Sequence, residues 1–337
     1  MKAKNLGRLL VHAAAGLVVL LGLARAALPQ TPSPALLILE KDDEQLAIAD
    51  PATLKIVARV PSGGAPHEVV ASADGRFAFI SNYIRPRVGP LKTISVVDLA
   101  AQKALAPVDL GPLRAAHGLV FAGGELYFTA EANRVIGRYD PASHQVDWIM
   151  GTGQTATHML VLAKDLRTIF TANIGSNTVS ALTESGNGQW NATAIAVGKG
   201  PEGIDLSPDG SEVWAANAGD GTISIINVAA KNVVATIDVK AKHSNRLKFT
   251  LDGKTVLVSD AGSDELLVVD AGARTEKKRI KVGRAPEGIL VQPDGARAFV
   301  ATSAENAVAV VDLRTLEVTG KIATGKDPDG LAWAQRQ

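Results

Sequence analysis

The sequence predicts an all-β protein, a seven-bladed β-propeller built of four-stranded antiparallel blades. One motif recurs at a period in the low forties, as in GPEGIDLSPDG (residues 200–210) and APEGILVQPDG (residues 285–295). The segments between copies are short, rich in β-branched residues and without helical periodicity. Such a period is typical of arrays whose repeat is a small sheet. We align the copies on one position, the column residue, which is His67, His117, His158, Glu202, Asn245, Glu287 and Asp329, at spacings of 50, 41, 44, 43, 42 and 42 residues.

The first 26 residues have the pattern of a secretory signal peptide. A basic start with Lys2, Lys4 and Arg8 precedes an apolar run over residues 9–23 and a small-x-small cleavage site that ends at Ala26. The alternative is an uncleaved membrane anchor, but the run is shorter than the roughly 20 apolar residues of a spanning helix. We therefore expect residues 1–26 to be a signal peptide and residues 27–337 to form the propeller.

Composition limits the possible partners and chemistry. Without the leader's four basic residues, the chain carries 31 basic and 34 acidic residues, a net charge of −3. Nucleic acid is therefore not expected as a partner, since it favours a strongly basic surface. The chain has no cysteine, which excludes disulfides, thiolate metal ligands, a cysteine nucleophile and a lipoprotein anchor. We expect a periplasmic or secreted monomer without a transmembrane segment after signal cleavage.

Turn signals divide each repeat into strands. Seven residues after most column residues comes a tight turn such as Asp74-Gly75 or Asp209-Gly210, where glycine accepts the positive φ of a hairpin. Runs such as FAFISN (residues 77–82) and TISVVD (residues 93–98) follow the first of these turns. Four antiparallel strands per repeat, seven times over, indicate the blades of a propeller.

The two ends of the chain complete one blade. Residues 36–60 contain three strands without a first one, and DPDGLAWA near the C-terminus supplies a first strand alone. Pairing the two would close the ring and leave no exposed sheet edge.

The sequence resembles the YVTN-repeat seven-bladed propellers of bacterial envelopes. The likeness is carried by FISN (residues 79–82), FTAN (170–173), WAAN (214–217), the SPDG and QPDG turns and the VVD strand ends. Propellers similar to these bind haem in dissimilatory nitrite reductase and a copper cluster in nitrous oxide reductase, and streptogramin lyases use a His and a Glu near magnesium. By position in the blade, the resemblance extends to His67, His117, His158 and Glu202. Covalent c-type haem is excluded because the chain has no cysteine.

The column residues are expected to surround one mouth of the central channel. His67, His117 and His158 are consecutive in blade order, and imidazoles followed by the Glu202 carboxylate suit a divalent transition metal such as zinc or copper. The alternative is that these side chains cap loops by hydrogen-bonding backbone N–H groups.

Basic residues are predicted around the same mouth. They occur in the loops that lead into the first strands, at Arg114, Lys199, Lys242, Arg284 and Lys326, and in the longest loop, at Arg85 and Arg87. Arg85 and Arg87, with Asn245, Arg246, Glu287 and Asp329, form the candidate ligand-binding set for a small anionic molecule or an envelope protein. The alternative is that loops are polar because they are wet, although long loops are more often functional.

Three functions are compatible with these features. The first is an exported propeller that binds a metal ion, a metal complex or an anionic small ligand at the His-lined mouth. The second is a metal-assisted lactonase or lyase in which one of the three histidines moves a proton. The third is an envelope interaction scaffold whose long loop, with Arg85 and Arg87, contacts another protein.

Overall fold

Seven antiparallel sheets surround a central channel in the computed structural model, which describes residues 30–336. This confirms the predicted all-β seven-bladed propeller. No helix within residues 30–336 is both long and apolar enough to cross a membrane. The predicted signal peptide, residues 1–26, lies outside the described residues.

The strands follow the repeat, and short 3-10 turns occur at Glu131–Asn133, Ile174–Ser176 and Ser303–Glu305. In chain order the strands are β1 (Ala35–Glu40), β2 (Gln45–Asp50), β3 (Lys55–Pro61), β4 (Pro66–Ala71), β5 (Phe77–Asn82), β6 (Ile84–Arg85), β7 (Gly89–Pro90), β8 (Thr93–Asp98), β9 (Lys103–Ala104), β10 (Val108–Asp109), β11 (Ala116–Ala122), β12 (Glu125–Ala130), β13 (Val135–Asp140), β14 (Gln145–Gly151), β15 (Thr157–Leu162), β16 (Thr168–Asn173), β17 (Thr178–Glu184), β18 (Trp190–Ala196), β19 (Pro201–Leu206), β20 (Glu212–Asn217), β21 (Thr222–Asn227), β22 (Asn232–Asp238), β23 (Ser244–Phe249), β24 (Thr255–Asp260), β25 (Glu265–Asp270), β26 (Thr275–Lys281), β27 (Pro286–Val291), β28 (Arg297–Thr302), β29 (Ala307–Asp312), β30 (Glu317–Ala323) and β31 (Pro328–Ala334).

We number the blades from the first complete one. Blade 1 contains β4, β5 and β8 with β9 and β10 on its outside, and blades 2 to 6 take four consecutive strands each, from β11 to β30. Blade 7 joins β31 to β1, β2 and β3. The first strand of each blade is the inner one, and neighbouring inner strands contact each other around the ring. The seven inner strands therefore form the wall of the channel.

Apolar side chains on both faces of each sheet hold the blades together. Phe79 of blade 1 packs with Leu126 and Phe128 of blade 2, and Trp214 of blade 4 packs with Phe249 of blade 5. Each large side chain buried in this way contributes roughly 1.5–3 kcal/mol. The ring thus has a continuous core between blades, which explains why second strands such as β16 are buried along their full length.

Blade 7 is assembled from both ends of the described chain, as predicted. Leu36 of β1 lies opposite Trp333 of β31, and the pairing continues to Glu40 and Pro328. Beyond the strands, the Arg336 N–H donates to Ser33 Oγ at 3.0 Å. The closure leaves no inner strand edge open.

Blade 1 departs from the predicted four full strands. Its outer strand consists of two separate pieces, β9 and β10, of two residues each, whereas the outer strands of the other six blades have seven residues. The long loop between β5 and β8 carries its own small hairpin of β6 and β7, with Arg85 in β6 and Arg87 at the tip. Both irregularities follow from Pro and Gly residues, which interrupt ladder pairing.

Candidate ligand site at the channel mouth

The column residues lie together at one mouth of the channel, because each is the second residue of its inner strand. In every blade the register of this strand shifts here by one residue, as between Pro66 and Val69 in blade 1. Such a bulge redirects side chains at a strand end. It recurs in all seven blades, so one local backbone feature positions the whole column.

Hydroxyl groups fix the bulge to the neighbouring blade. Thr129 Oγ1 accepts the Gly118 N–H at 2.9 Å and donates to the carbonyl oxygen of His158 at 2.6 Å. Ser259 Oγ likewise accepts the Arg246 N–H and donates to the carbonyl oxygen of Glu287 at 2.7 Å. The backbone of each of these two column residues is thereby held by the second strand of the blade before it.

Blades 1 to 3 contribute the histidine face, which consists of His67, His117 and His158. The His117 and His158 rings stack with centroids 3.6 Å apart and an interplanar angle of 29°, and the His67 ring lies 5.0 Å from that of His117. Tyr83, just beyond β5, contacts the His67 and His117 rings at 4.9 and 4.8 Å. The structure therefore brings the three predicted histidines into direct contact and adds an aromatic neighbour.

Two of these imidazoles are neutral and incompletely hydrogen-bonded. Burial lowers the pKa of His67 to about 4, although Asp329 opposes the shift. Burial and the neighbouring His158 and His67 hold the pKa of His117 well below its usual range. The Nδ1 atoms of His67 and His117 are buried without a hydrogen-bond partner. Because native proteins seldom leave buried polar atoms unsatisfied, this face has hydrogen-bonding capacity to spare.

His158 differs from the other two because it has a carboxylate partner. Its Nδ1 lies 3.0 Å from Glu131 Oε2, in the turn after β12. Burial and the same Glu131 carboxylate raise the pKa of Tyr83, so the phenol stays protonated. When His158 donates from Nδ1 to Glu131, the lone pair of its other nitrogen, Nε2, is the one that can accept a proton.

Blades 4 to 7 contribute the carboxylate face, formed by Glu202, Asn245, Glu287 and Asp329. Arg246, 5% exposed, lies at its centre and forms an ion pair with Glu68 on the far side of the channel. Its guanidinium also lies 3.8 Å from Glu202 and 3.9 Å from Asp329. We call the Arg246–Glu68 contact the cross-channel ion pair.

Lys41, in the turn between β1 and β2, completes this face. Its Nζ lies 2.9 Å from Glu287, 3.2 Å from Asp329 and 3.5 Å from Asp327. Burial and repulsion by Asp329 raise the pKa of Glu287 to about 7, against the attraction of Lys41. Burial opposes ionisation of Asp329, but Lys41 and Arg246 outweigh it and hold the pKa of that carboxyl below its ordinary value. The carboxylate face is therefore a network that supplies its own cations.

The described histidines are not arranged as a metal centre. Within residues 30–336, no three His, Asp or Glu side chains have a geometry suited to one ion. The stacking of the His117 and His158 rings explains this absence. The nitrogen lone pairs lie in the ring planes, and in stacked rings these planes are nearly parallel, so the lone pairs do not converge on one ion. Binding of zinc or copper by His67, His117, His158 and Glu202 stays a prediction, and it would require the stacked rings to separate.

A ring of basic side chains surrounds the mouth three residues before the column residue. In five blades the backbone N–H of this basic residue is bound by a polar side chain of a neighbouring loop. The pairs are Arg114 with Asn133, Lys199 with Asp220, Lys242 with Asp260, Arg284 with Glu305 and Lys326 with Asp43. Within the described chain, the five basic side chains themselves form no ion pair with a carboxylate. Lys199, Lys242, Arg284 and Lys326 are exposed, whereas Arg114 is half-buried and its guanidinium donates to the carbonyl oxygens of Gly111 and Leu113. We call these five side chains the basic rim.

The long loop adds one paired and one exposed cation to this rim. Arg85 forms an ion pair with Glu44, from the turn before β2. Arg87 is exposed at a positive φ of 65°. Of the two loop residues that the sequence singles out, Arg87 is the one whose charge faces outward.

Sequence reasoning missed four residues of this site: Lys41, Glu68, Tyr83 and Glu131. A signal for one of them exists in the position after the column residue, which reads Glu, Gly, Met, Gly, Arg, Gly, Gly in blade order. In blade 6 the position is crowded, because a Cβ on Gly288 would come within 2.2 Å of the Asp329 carbonyl oxygen. In two blades this position holds charged residues of opposite sign, Glu68 and Arg246. Such a combination indicates an ion pair across the channel.

Comparisons with known proteins agree on the fold. The model of the choice-of-anchor I domain matches residues 176–328, and no curated protein matches the sequence. A proposed 6-phosphogluconolactonase from Bacteroides uniformis has 16% sequence identity and a TM-score of 0.73, with 90% of this chain and 99% of that chain covered. Hydrazine synthase from Kuenenia stuttgartiensis has 18% identity and a TM-score of 0.68, with coverage of 79% and 89%.

Likeness at these identities shows the fold alone, and none of the matches tests the resemblance to the YVTN-repeat family. A protein of unknown function from Desulfotomaculum acetoxidans extends the likeness, with 13% identity, a TM-score of 0.74 and coverage of 90% of this chain and 100% of that chain. The chain is therefore a seven-bladed β-propeller that contains a match to the choice-of-anchor I domain and has proposed 6-phosphogluconolactonases among its structural neighbours.

Proposed function

We propose that this chain is an exported propeller that binds a small anionic molecule at the channel mouth. The observation that carries the proposal is a neutral histidine face in blades 1 to 3, with buried Nδ1 atoms that lack partners, at the same mouth as a basic rim that lies mostly over blades 4 to 7. A ligand with an anionic group for the rim and a neutral polar body for His67 and His117 complements both.

Export is part of the proposal. The signal-like leader supports it, and the match of residues 176–328 to a choice-of-anchor domain is consistent with a protein of the cell envelope. Cell fractionation of a tagged chain tests this directly. Recovery of the full-length precursor in the cytosolic fraction would contradict it.

Calorimetric titration with 6-phosphogluconate tests ligand binding. Gluconate, which lacks the phosphate group, is the matched comparison. We expect the phosphate to increase affinity because it adds charge that the rim can meet. Replacement of Lys199, Lys242 and Arg284 by Gln should weaken binding about tenfold, as expected for three exposed charges of modest energy each. The control replaces by Gln three lysines at the opposite face: Lys55 and Lys103, which begin β3 and β9, and Lys254, in the turn before β24. Equal weakening by both triple variants would contradict a site at the mouth.

A second candidate is hydrolysis of an anionic lactone. It is favoured by the contact of His158 with Glu131 and by the two proposed 6-phosphogluconolactonases among the structural neighbours. His158 Nε2 would take a proton from water as the water oxygen attacks the lactone carbonyl, and would return it to the ring oxygen as the C–O bond breaks. The rate to be measured is that of 6-phosphogluconolactone hydrolysis after the uncatalysed rate has been subtracted. His158→Gln should reduce it about 10²–10⁴-fold. A rate unchanged in this variant would contradict the second candidate while leaving ligand binding standing.

A further inference from the structure

A cavity lies between the outer parts of blades 1 and 2, and none of the column residues lines it. Its volume is about 740 Å³, within the range of small-molecule sites. The walls are mostly apolar: Phe77, Phe79 and Val96 from blade 1, and Tyr139, Val146 and Ile149 from blade 2. Ile149 is 52% exposed and contributes accessible apolar surface to this wall.

The broken outer strand of blade 1 creates this cavity. Residues 105–107 lie between β9 and β10, and Pro107 has no N–H to donate to a ladder. The edge of β8 nevertheless stays covered, since the Leu105 N–H donates to the Val96 carbonyl oxygen at 2.8 Å and Val108 pairs with Ile94. A partner peptide would therefore find no free strand edge to extend.

The charges at the cavity are already paired. Asp109, the one acidic residue that lines it, forms an ion pair with Lys92 at 2.8 Å. The Tyr139 hydroxyl and His144 Nδ1 lie 3.1 Å apart, within hydrogen-bond distance of each other. Either group can also form a hydrogen bond with a polar group of a ligand. The walls thus offer apolar surface, the Tyr139–His144 pair and the neutral amide of Gln145, with no unpaired charge to match an ionic ligand.

We propose that this cavity is a binding site for an uncharged apolar small molecule with one hydrogen-bonding group. The apolar walls would contribute most of the binding free energy, because covering exposed apolar surface is worth about 25 cal/mol per Å². The polar pair of Tyr139 and His144 would set its orientation. This site is independent of the channel mouth and of any anionic ligand there.

The test is fluorescence titration of the full chain with N-phenyl-1-naphthylamine, an uncharged apolar probe. We expect saturable binding of one probe per chain. Ile149→Glu should weaken it by about tenfold or more, because a carboxylate would have to be desolvated at the cavity wall. The matched control is Val318→Glu, on the outer strand of blade 6 at 42% exposure, which should leave probe affinity unchanged.

Two results would overturn the proposal. One is a fluorescence signal that does not saturate, and the other is equal weakening by Ile149→Glu and Val318→Glu. Val96→Trp serves as a second variant, because an indole at the wall should fill the space and abolish probe binding. Retained binding in a folded Val96→Trp protein would also count against the site.

Discussion

The two halves of the channel mouth share one backbone and differ in chemistry. On the histidine face, two imidazoles keep buried Nδ1 atoms without partners. On the carboxylate face, Arg246 and Lys41 bring positive charge to Glu202, Glu287 and Asp329. The same β-bulge, at the start of each inner strand, positions the column residues of both faces. The difference teaches that one repeated backbone feature can present two chemistries, imidazoles with unpaired nitrogens in blades 1 to 3 and a network of charges in blades 4 to 7.

The largest expected effect comes from breaking the cross-channel ion pair. Arg246→Met should lower the free energy of unfolding by about 3–5 kcal/mol, because Glu68 and its neighbours would be left buried without a cation. Chemical denaturation at pH 7 measures this. Lys248→Met is the control on the same strand, since its pair with Asp205 at 3.5 Å is partly exposed and should be worth less than about 1 kcal/mol.

Equal losses in the two Met variants would remove the distinction between a stabilising face and an ordinary surface. The double variant Arg246→Met with Glu68→Met sharpens the test. It should recover part of the loss, since the most closely paired buried carboxylate would be gone.

The next effect concerns pH and Glu287. Its pKa rises to about 7 in the folded state from an ordinary 4.5, so the folded chain holds a proton that the unfolded chain releases. This contribution to stability is complete below about pH 4.5 and is lost as the pH rises through 7. Relative to Glu287→Gln, the wild type should lose roughly 3 kcal/mol of unfolding free energy between these limits. Denaturation curves at pH 4.5, 5.5, 6.5 and 7.5 follow the difference, and a constant difference would contradict the assignment.

Removing the histidine face should affect ligands more than stability. The triple replacement of His67, His117 and His158 by Gln should abolish 6-phosphogluconate binding and change the unfolding free energy by about 1–2 kcal/mol, less than Arg246→Met does. His144→Gln, outside the mouth, is the control. Elemental analysis of the same proteins tests the metal prediction. Near-stoichiometric zinc or copper in the wild type that disappears in the triple variant would support it, and no metal in either would contradict it.

The smallest stability effect is expected at the long loop. Arg85→Gln with Arg87→Gln should change the unfolding free energy by less than about 0.5 kcal/mol, because Arg87 is exposed and the Arg85 pair lies at the surface. The same double variant should weaken 6-phosphogluconate binding by about threefold. A variant with Arg314→Gln and Lys103→Gln, at the opposite face, provides the charge-matched control. Unchanged ligand affinity would contradict a role of the long loop in ligand binding. It would favour the scaffold hypothesis, in which the long loop contacts an envelope protein.

The sequence predicts the repeated parts of this molecule well, because the same turn and strand patterns occur in most blades. The Asp-Gly turns and the column motif locate the inner strands, and every column residue occupies the predicted position. The broken outer strand of blade 1 was not predicted, since its residues have no counterpart in the other copies. Asp205 and Lys248 occupy the same place in adjacent repeats, three residues after the column residue, and they form an ion pair at 3.5 Å.

Contacts across the channel were harder to predict. Glu68 and Arg246 are 178 residues apart, and only the curvature of the closed ring brings them together. Lys41 reaches Glu287 because blade 7 is completed by β31, which places the turn after β1 beside blade 6. A repeat alignment compares equivalent positions, so it does not show which blades face each other across the axis.

The pairing of β1 with β31 also determines when the molecule can finish folding. The partners Ala35 and Ala334 are separated by nearly the whole described chain, and closing so long a loop is entropically costly and slow. A chain made from its N-terminus carries β1, β2 and β3 without their inner strand until residue 334 has been synthesised. The ring therefore closes late, since blade 7 obtains its inner strand only after blades 1 to 6 have all of theirs.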